Sequence, residues 1–146
     1  MTDCIYFVQS GEFVKVGYCA EGRAQDRLEE LQVGNPTRLR LLGCIRGDRA
    51  EEARAHASLT EWHVRGEWFH LTPTIREVIA GLVEKDAIDR QLEAFAAEWQ
   101  RIANELKAVP ESATSRAEIG LRFRRVATAM DNVILAMQET AFQLSR

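Results

Sequence analysis

The sequence predicts an α+β fold, in which a small sheet domain over residues 1–82 is followed by a long α-helical hairpin over residues 83–146. Strand-like alternation opens the chain between Cys4 and Tyr18, whereas apolar residues recur at helical steps of four and three after Ile88. At 146 residues, with 46% hydrophobic and 28% charged residues, the chain is long enough for one compact domain and a helical extension.

The sheet is predicted to have three strands in a mostly antiparallel arrangement flanked by helices. Cys4–Gln9 and Glu12–Tyr18 are rich in β-branched and aromatic residues and enclose the turn pair Ser10-Gly11, which is typical of a β-hairpin. A dense apolar run, Leu39–Ile45, is bounded by turn residues. A buried run of this kind is expected to be the third and central strand.

Three shorter helices are predicted to flank this sheet. The first is expected at about residues 22–33, because Leu28 and Leu31 share a face and Gly34-Asn35-Pro36 follows them. Asp48 is a candidate N-cap for a second helix that runs to about Thr60. Thr72-Pro73 marks the start of a third.

The last part of the chain has the spacing of two long packed helices. Pro110 interrupts the pattern, and Ser115 with Glu118 forms a capping box for the second of these helices. The predicted seam consists of Ile88, Leu92, Phe95, Trp99, Ile102, Leu106 and Val109, then Ile119, Phe123, Val126, Met130, Val133, Met137 and Leu144. Apolar Ile134, Leu135 and Phe142 lie off that seam, which indicates a second contact surface for the sheet domain or for another copy of the chain. We therefore expect a homodimer formed through these helices.

Composition limits the compartment and the kind of site. No apolar run approaches the ~20 residues that a membrane crossing needs, and the first residues lack the features of a signal peptide, so the cytoplasm is expected. Cys4, Cys19 and Cys44 lack CxxC spacing, which argues against a zinc site or a disulfide framework. The net charge of −3 is unusual for a DNA-binding protein, although Arg38 and Arg40 would share one face of a strand.

Four motifs follow the hairpin in a fixed order. They are Arg27-Leu28 before Leu31-Gln32, then Gly34-Asn35-Pro36, then Glu52 with His56, and then Gly66-Glu67-Trp68-Phe69. Over residues 4–82 this series resembles the GIY-YIG endonuclease superfamily. It is most similar to the compact phage and bacterial branch, in which the second triad is written Lys-aliphatic-Gly, here Lys15-Val16-Gly17, and the domain closes with Gly-Glu-Trp-Phe.

The resemblance implies a metal-dependent endonuclease that hydrolyses DNA phosphodiester bonds. Tyr6 matches the tyrosine that helps activate the attacking water, and Arg27 matches the arginine that stabilises the phosphate. Glu52 matches the acidic residue that holds Mg²⁺ or Mn²⁺. Arg23 is an alternative to Arg27, and Glu51 is an alternative to Glu52.

Further candidates are Lys15 and His56 for catalysis, and Gly17, Tyr18, Arg38 and Arg40 for substrate binding. Lys15 can supply positive charge or lower the pKa of a nearby phenol. Gly17 allows close backbone approach, and Tyr18 follows it directly. His56 lies one helical turn after Glu52 and so on the same face, where it can contact phosphate, orient the carboxylate or pack beneath the aromatic segment.

Two positions leave open whether the chain is an active nuclease. Glu67 can reach the site or serve a structural role. Leu31 occupies a position where many relatives have a histidine. The alternatives to an active nuclease are a nuclease-fold protein with weak or no catalysis, which binds nucleic acid or a regulatory partner, and a chain whose helical extension carries the function.

Overall fold

The computed structural model describes residues 3–108 and 116–144. It confirms the α+β class, and the chain forms two compact units, Met1–Ala87 and Ile88–Arg146. The division falls inside a helix rather than in a loop, because one α-helix runs from Pro73 to Lys107. Among the described helices, none is both long and apolar enough to cross a bilayer.

The first unit contains an antiparallel sheet of five strands, where the sequence predicted three. The strands are β1 (Asp3–Ser10), β2 (Phe13–Ala20), β3 (Arg40–Arg46), β4 (His63–Arg65) and β5 (Trp68–His70). Their spatial order is β3-β1-β2-β5-β4. The two additional strands have three residues each, which is too short for a periodic pattern to show in the sequence.

The expected central position of β3 was wrong, because β3 lies at the edge of the sheet. Its continuous apolar run has another cause. Leu41 and Cys44 pack on one face of the sheet, and Leu42 and Ile45 pack on the other. Both faces of this edge strand are therefore covered, and a strand covered on both faces is apolar at every position whether or not it is central.

Alternation along β1 divides the interior into two layers. Cys4, Tyr6 and Val8 face one cluster, whereas Ile5 and Phe7 face the other. The first cluster lies under helix α1 (Ala24–Gln32), and the second lies between the sheet and helices α2 (Arg49–Ser58) and α3 (Pro73–Lys107). The candidate chemistry of Tyr6 is thereby placed on the α1 side of the sheet.

The predicted ends of the helices are largely confirmed. The Asp48 carboxylate accepts a hydrogen bond from the Glu51 amide at 2.8 Å, and the Glu51 carboxylate accepts one from the Asp48 amide at 2.9 Å. These two bonds form a capping box at the start of α2. At the start of α3, the Thr72 hydroxyl accepts a hydrogen bond from the Ile75 amide at 3.2 Å. The third predicted helix and the first helix of the extension are one continuous helix, since no breaker separates them.

The second unit pairs the end of α3 with helix α4 (Arg116–Leu144). Among the side chains of this unit that the structure describes, Ile102 on α3 and Ala129 and Val133 on α4 are buried. The predicted seam was partly wrong on both helices, because several of its residues are exposed: Leu92 and Trp99 on α3, and Ile119, Phe123, Met130 and Met137 on α4. The predicted cap Ser115, together with Val109 and Pro110, lies outside the described residues, as do the side chains of Leu106, Phe142 and Leu144.

Candidate functional site

Tyr6 and Gly17 form the centre of the candidate site. They are directly paired on β1 and β2. A Cβ atom placed on Gly17 would lie 2.4 Å from both Cζ and Oη of Tyr6, far inside van der Waals contact. The phenol therefore crosses directly over the backbone of Gly17, and this position can hold only glycine without displacing the ring.

Arg27 extends from α1 to the same phenol. Its guanidinium hydrogen-bonds to the Tyr6 hydroxyl and also pairs with Glu30, one turn later on the helix. Tyr6 is only 1% exposed, whereas the side chain of Arg27 is 42% exposed. Arg27 is therefore the solvent-exposed member of this pair, and Tyr6 is the buried member.

The ionisation of this pair follows from its surroundings. Burial raises the pKa of the Tyr6 phenol above 10.0, and the positive charge of Arg27 only partly opposes that rise. The hydrogen bond to Tyr6 raises the pKa of Arg27 in turn. At neutral pH the site therefore holds a neutral phenol and a permanently charged guanidinium.

Lys15 lies on the same side of the sheet, paired through its backbone with Trp68 of β5. Its ammonium group forms an ion pair with Glu67, which immediately precedes β5. The lysine side chain is 12% exposed and the glutamate side chain 46% exposed. The charge of Lys15 is thus balanced by the Glu67 carboxylate, and Glu67 has a clear role as the partner of Lys15.

Glu52 has a half-buried side chain with no ion pair or hydrogen bond to any described residue. Its neighbours on the same face of α2 show where it lies. Arg49, one turn before it, stacks on the ring of Tyr18 at 4.9 Å from the ring centroid. His56, one turn after it, hydrogen-bonds to the backbone of Val16. Helical spacing therefore places Glu52 against β2 on the α2 face of the sheet, whereas Tyr6 and Arg27 lie on the α1 face.

Arg23 and Glu51, the alternatives to Arg27 and Glu52, interact with other residues. Arg23 forms an ion pair with Asp26. The Glu51 carboxylate belongs to the capping box of α2 and lies 3.6 Å from Arg54. Among these acidic and basic candidates, Glu52 is the carboxylate that retains its full set of lone pairs for a ligand.

His56 connects helix α2 to the sheet. Its Nε2 lies 2.9 Å from the carbonyl oxygen of Val16, which can only accept, so Nε2 carries the proton and donates it. The imidazole also packs against Phe69, with 5.3 Å between ring centroids. These contacts make His56 a residue that positions α2, and with it Glu52.

The structure places Tyr18 away from Tyr6 and Arg27, on the α2 face of the sheet where Arg49 stacks on its ring. Residues 17 and 18 point to opposite faces of β2, and the Tyr18 hydroxyl donates a hydrogen bond to the Asp3 carboxylate. That hydrogen bond is the main reason why the pKa of Tyr18 is raised above 10.0. The sequence showed no sign of the roles of Asp3 and Arg49, because both residues are distant from Tyr18 along the chain.

Arg38 and Arg40 are exposed, and neither is ion-paired within the described part of the chain. Together with Gln9 and Gln25 they line a concavity of about 670 Å³ between the hairpin turn and α1. No hydrogen bond joins either arginine to Tyr6 or Arg27. They form a positively charged surface near the tip of the hairpin, beside Leu28 of α1.

A divalent cation would have few protein ligands here. The residues that the structure describes contain no group of three or more His, Cys, Asp or Glu side chains able to hold a metal together. Mg²⁺, however, often binds through one or two carboxylates, with water and substrate phosphate completing its coordination. The unpaired Glu52 carboxylate fits that arrangement.

No family model, curated protein or solved structure matches this chain.

Proposed function

We propose that the sheet domain is a metal-dependent endonuclease of the GIY-YIG type that hydrolyses phosphodiester bonds in DNA. One observation carries this proposal. The half-exposed guanidinium of Arg27 is held by Tyr6 on the α1 face of the sheet, and the Glu52 carboxylate, which has no partner among the described residues, lies against β2 on the α2 face. A fixed planar cation suits a phosphodiester, and a free carboxylate suits a hard metal ion.

Arg27 is assigned to the phosphate. Its planar guanidinium can donate two parallel hydrogen bonds to phosphate oxygens and offset the negative charge that develops during hydrolysis. Glu30 and Tyr6 hold the side chain in place before substrate binds. This preorganisation reduces the entropy that would be lost when Arg27 is fixed on the phosphate.

Tyr6 first serves to hold Arg27. Because its pKa is raised and its side chain is 1% exposed, the phenol is neutral and shielded from water in this arrangement. Contact between the Tyr6 hydroxyl and the attacking water requires Arg27 to shift from the phenol towards the phosphate. Tyr6 then orients the water through a hydrogen bond rather than removing its proton unaided.

Glu52 would hold Mg²⁺ or Mn²⁺, and such an ion supplies Lewis-acid stabilisation of the phosphate and a more acidic bound water. His56 keeps α2 against β2 and so fixes the position of Glu52 relative to that strand.

The exposed Arg38 and Arg40 extend the DNA contact to the hairpin tip. This local positive charge allows DNA binding by a chain whose net charge is −3. We place this activity in the cytoplasm.

The test is cleavage of supercoiled plasmid by the full chain with Mg²⁺ or Mn²⁺. Arg27→Lys keeps the charge and loses the planar fork, and Glu52→Gln keeps the shape and loses the charge. Each is expected to lower the cleavage rate by at least about 100-fold, the effect of removing one group that stabilises a transition state. Glu29→Gln changes an exposed glutamate that has no partner in the described structure, and serves as the control. Cleavage that survives both Arg27→Lys and Glu52→Gln would contradict the proposal.

A second function is favoured by the burial of Tyr6, which leaves no catalytic phenol at the surface. The chain would then bind nucleic acid without cutting it. In that case the native protein would bind labelled DNA in the absence of metal and show no cleavage with either metal ion. Binding would weaken in Arg38→Ala and Arg40→Ala and would be unchanged in Glu52→Gln.

A further inference from the structure

Two cysteine side chains meet inside the sheet domain. Cys4 of β1 and Cys19 of β2 are direct backbone partners, and their Sγ atoms lie 3.3 Å apart. The thiol of Cys4 also donates a weak hydrogen bond, 3.8 Å long, to the carbonyl oxygen of Ala20. The two cysteines are 15 residues apart along the chain, so the β-hairpin is what brings their sulfur atoms into contact.

The geometry of this pair suits a disulfide bond. Residues directly opposite each other in antiparallel strands have Cα atoms about 4.5 or 5.5 Å apart, depending on the hydrogen-bond pattern. Disulfides span Cα separations of roughly 4.4–6.8 Å. A bond between Cys4 and Cys19 therefore requires the two sulfur atoms to approach each other and leaves the register of β1 and β2 unchanged.

The third cysteine is not placed for the same bond. Cys44 of β3 is the backbone partner of Tyr6, whereas Cys4 is paired on that side with Arg46. Cys4 and Cys44 are thus diagonal neighbours, whose Cα atoms are typically about 7–8 Å apart, beyond the reach of an undistorted disulfide. Cys19 is farther still from Cys44, because β1 lies between their strands. The structure therefore favours one of the three possible pairs.

Burial limits the kind of oxidant that the pair can meet. Cys4 is 1% exposed and Cys19 is 7% exposed. Both lie next to the open end of the hairpin, where Asp3 pairs with Ala20. The end of a ladder opens more readily than its middle, because fewer contacts must break. Hydrogen peroxide is small enough to use such an opening, and Cys19 is the more accessible sulfur.

We propose that Cys4 and Cys19 form an oxidation site that closes to a cross-strand disulfide with hydrogen peroxide and reopens with a small thiol. The Cys19 sulfur, as the thiolate, attacks one peroxide oxygen, the O–O bond breaks, and a sulfenic acid forms with release of water. The Cys4 sulfur then attacks the Cys19 sulfur, which forms the S–S bond and releases a second water. The two thiols together lose two protons and two electrons. Two molecules of glutathione reverse the step by exchange and are oxidised to their own disulfide.

The bond would form beside the candidate site. Cys4 lies two residues before Tyr6, and Cys19 lies two residues after Gly17, so all four face the same side of the sheet. Cys4, Cys19 and Tyr6 belong to one buried cluster. The disulfide would therefore link the two strands on which the phenol of Tyr6 crosses Gly17. This inference does not depend on the proposed nuclease activity, because it concerns only the two thiols.

The experiment is peptide mapping of the native full chain after treatment with hydrogen peroxide. Remaining thiols are blocked with N-ethylmaleimide in denaturant, and the chain is digested with trypsin without reduction. The three cysteines fall in separate tryptic peptides, residues 1–15, 16–23 and 41–46. The expected product joins peptide 1–15 to peptide 16–23 and leaves Cys44 carrying the maleimide. Glutathione added before the blocking step should abolish the link.

Cys44→Ser is the matched control, because it removes the thiol that is not positioned for the bond and should keep the link. Cys19→Ser should lose it. The same treatment in denaturant gives the amount of peroxide that oxidises unfolded cysteines. Links to Cys44 in the native chain would overturn the proposal, and so would a native chain in which Cys4 and Cys19 stay reduced at that amount of peroxide. Peptide mapping of the native chain gives this result even where a variant does not fold.

Discussion

The ring of Tyr6 lies across the backbone of Gly17, so that a Cβ atom at position 17 would meet the phenol oxygen at 2.4 Å. The two residues are also backbone partners on β1 and β2. This close contact connects the sheet to the site, because the phenol that crosses Gly17 is the one that holds Arg27.

Gly17→Ala is expected to lower the free energy of unfolding by about 1–3 kcal/mol, the usual cost of overpacking a filled interior. Denaturant titration measures this change. Gly81→Ala is the matched control, because nothing lies within 4 Å of a Cβ atom at that position of α3. There the same substitution is expected to stabilise the protein by up to about 1 kcal/mol, since alanine favours a helix. A neutral result for Gly17→Ala would show that Tyr6 does not occupy this position.

Glu67→Gln is expected to destabilise the sheet domain because it leaves the mostly buried charge of Lys15 without its partner. The expected loss is about 1–2 kcal/mol, less than for a fully buried pair because Glu67 is nearly half exposed. Adding Lys15→Met should recover most of that loss, as it removes the unpaired charge and keeps the apolar stem. Equal and additive losses in a double-mutant cycle would show that the two side chains do not interact.

The two tyrosines, Tyr6 and Tyr18, are the only ones in the chain, and both have a raised pKa. In a near-ultraviolet titration of the folded protein, both are expected to ionise above pH 10.0, the value expected for the unfolded chain. Tyr18→Phe leaves the signal of Tyr6 alone. A tyrosine that titrates below 10.0 in this variant would mean that Arg27 outweighs burial.

The same shifts make stability depend on alkaline pH. Because folding raises both tyrosine pKa values, the folded chain binds these protons more tightly than the unfolded chain. Their contribution to the free energy of unfolding is fully present below pH 10.0, and it is lost as pH rises through the folded pKa values. Denaturant titrations on either side of that pH measure the loss.

His56→Ala is expected to cost about 1 kcal/mol of stability, through the lost hydrogen bond to Val16, and also to slow cleavage by allowing Glu52 to move. His63 provides a close control. Its Nε2 lies 2.8 Å from the Gly66 carbonyl oxygen and its ring also packs on Phe69, but it belongs to β4 rather than α2. Of the two alanine variants, only that of His56 should slow DNA cleavage. Equal cleavage by both would show that His56 does not position Glu52.

Parts of the fold could be predicted from the sequence because neighbouring residues determine them. The β-hairpin follows from alternation and the Ser10-Gly11 turn, and the start of α2 follows from Asp48 and Glu51. The start of α3 follows from Thr72 and Pro73 in the same way. The residues of the candidate site could be nominated because Tyr6, Arg27 and Glu52 occur in motifs with a recognisable order.

Tertiary structure decided which groups meet. An apolar run specifies burial but not a position within the sheet, and so β3 lies at an edge although its sequence is typical of a central strand. Heptad spacing specifies that α4 is amphipathic but not which face is covered, and so Val133 is buried while Met130 is exposed.

The sequence by itself determined the local elements and the α+β class, because turns, caps and periodicity depend on residues close together in the chain. Only the tertiary structure showed that Arg27 is held by Tyr6, that Lys15 is neutralised by Glu67, and that Glu52 has no partner among the described residues. Each of these relationships joins side chains from different elements. The energies of such contacts depend on distance and burial, and neither is encoded in spacing along the chain.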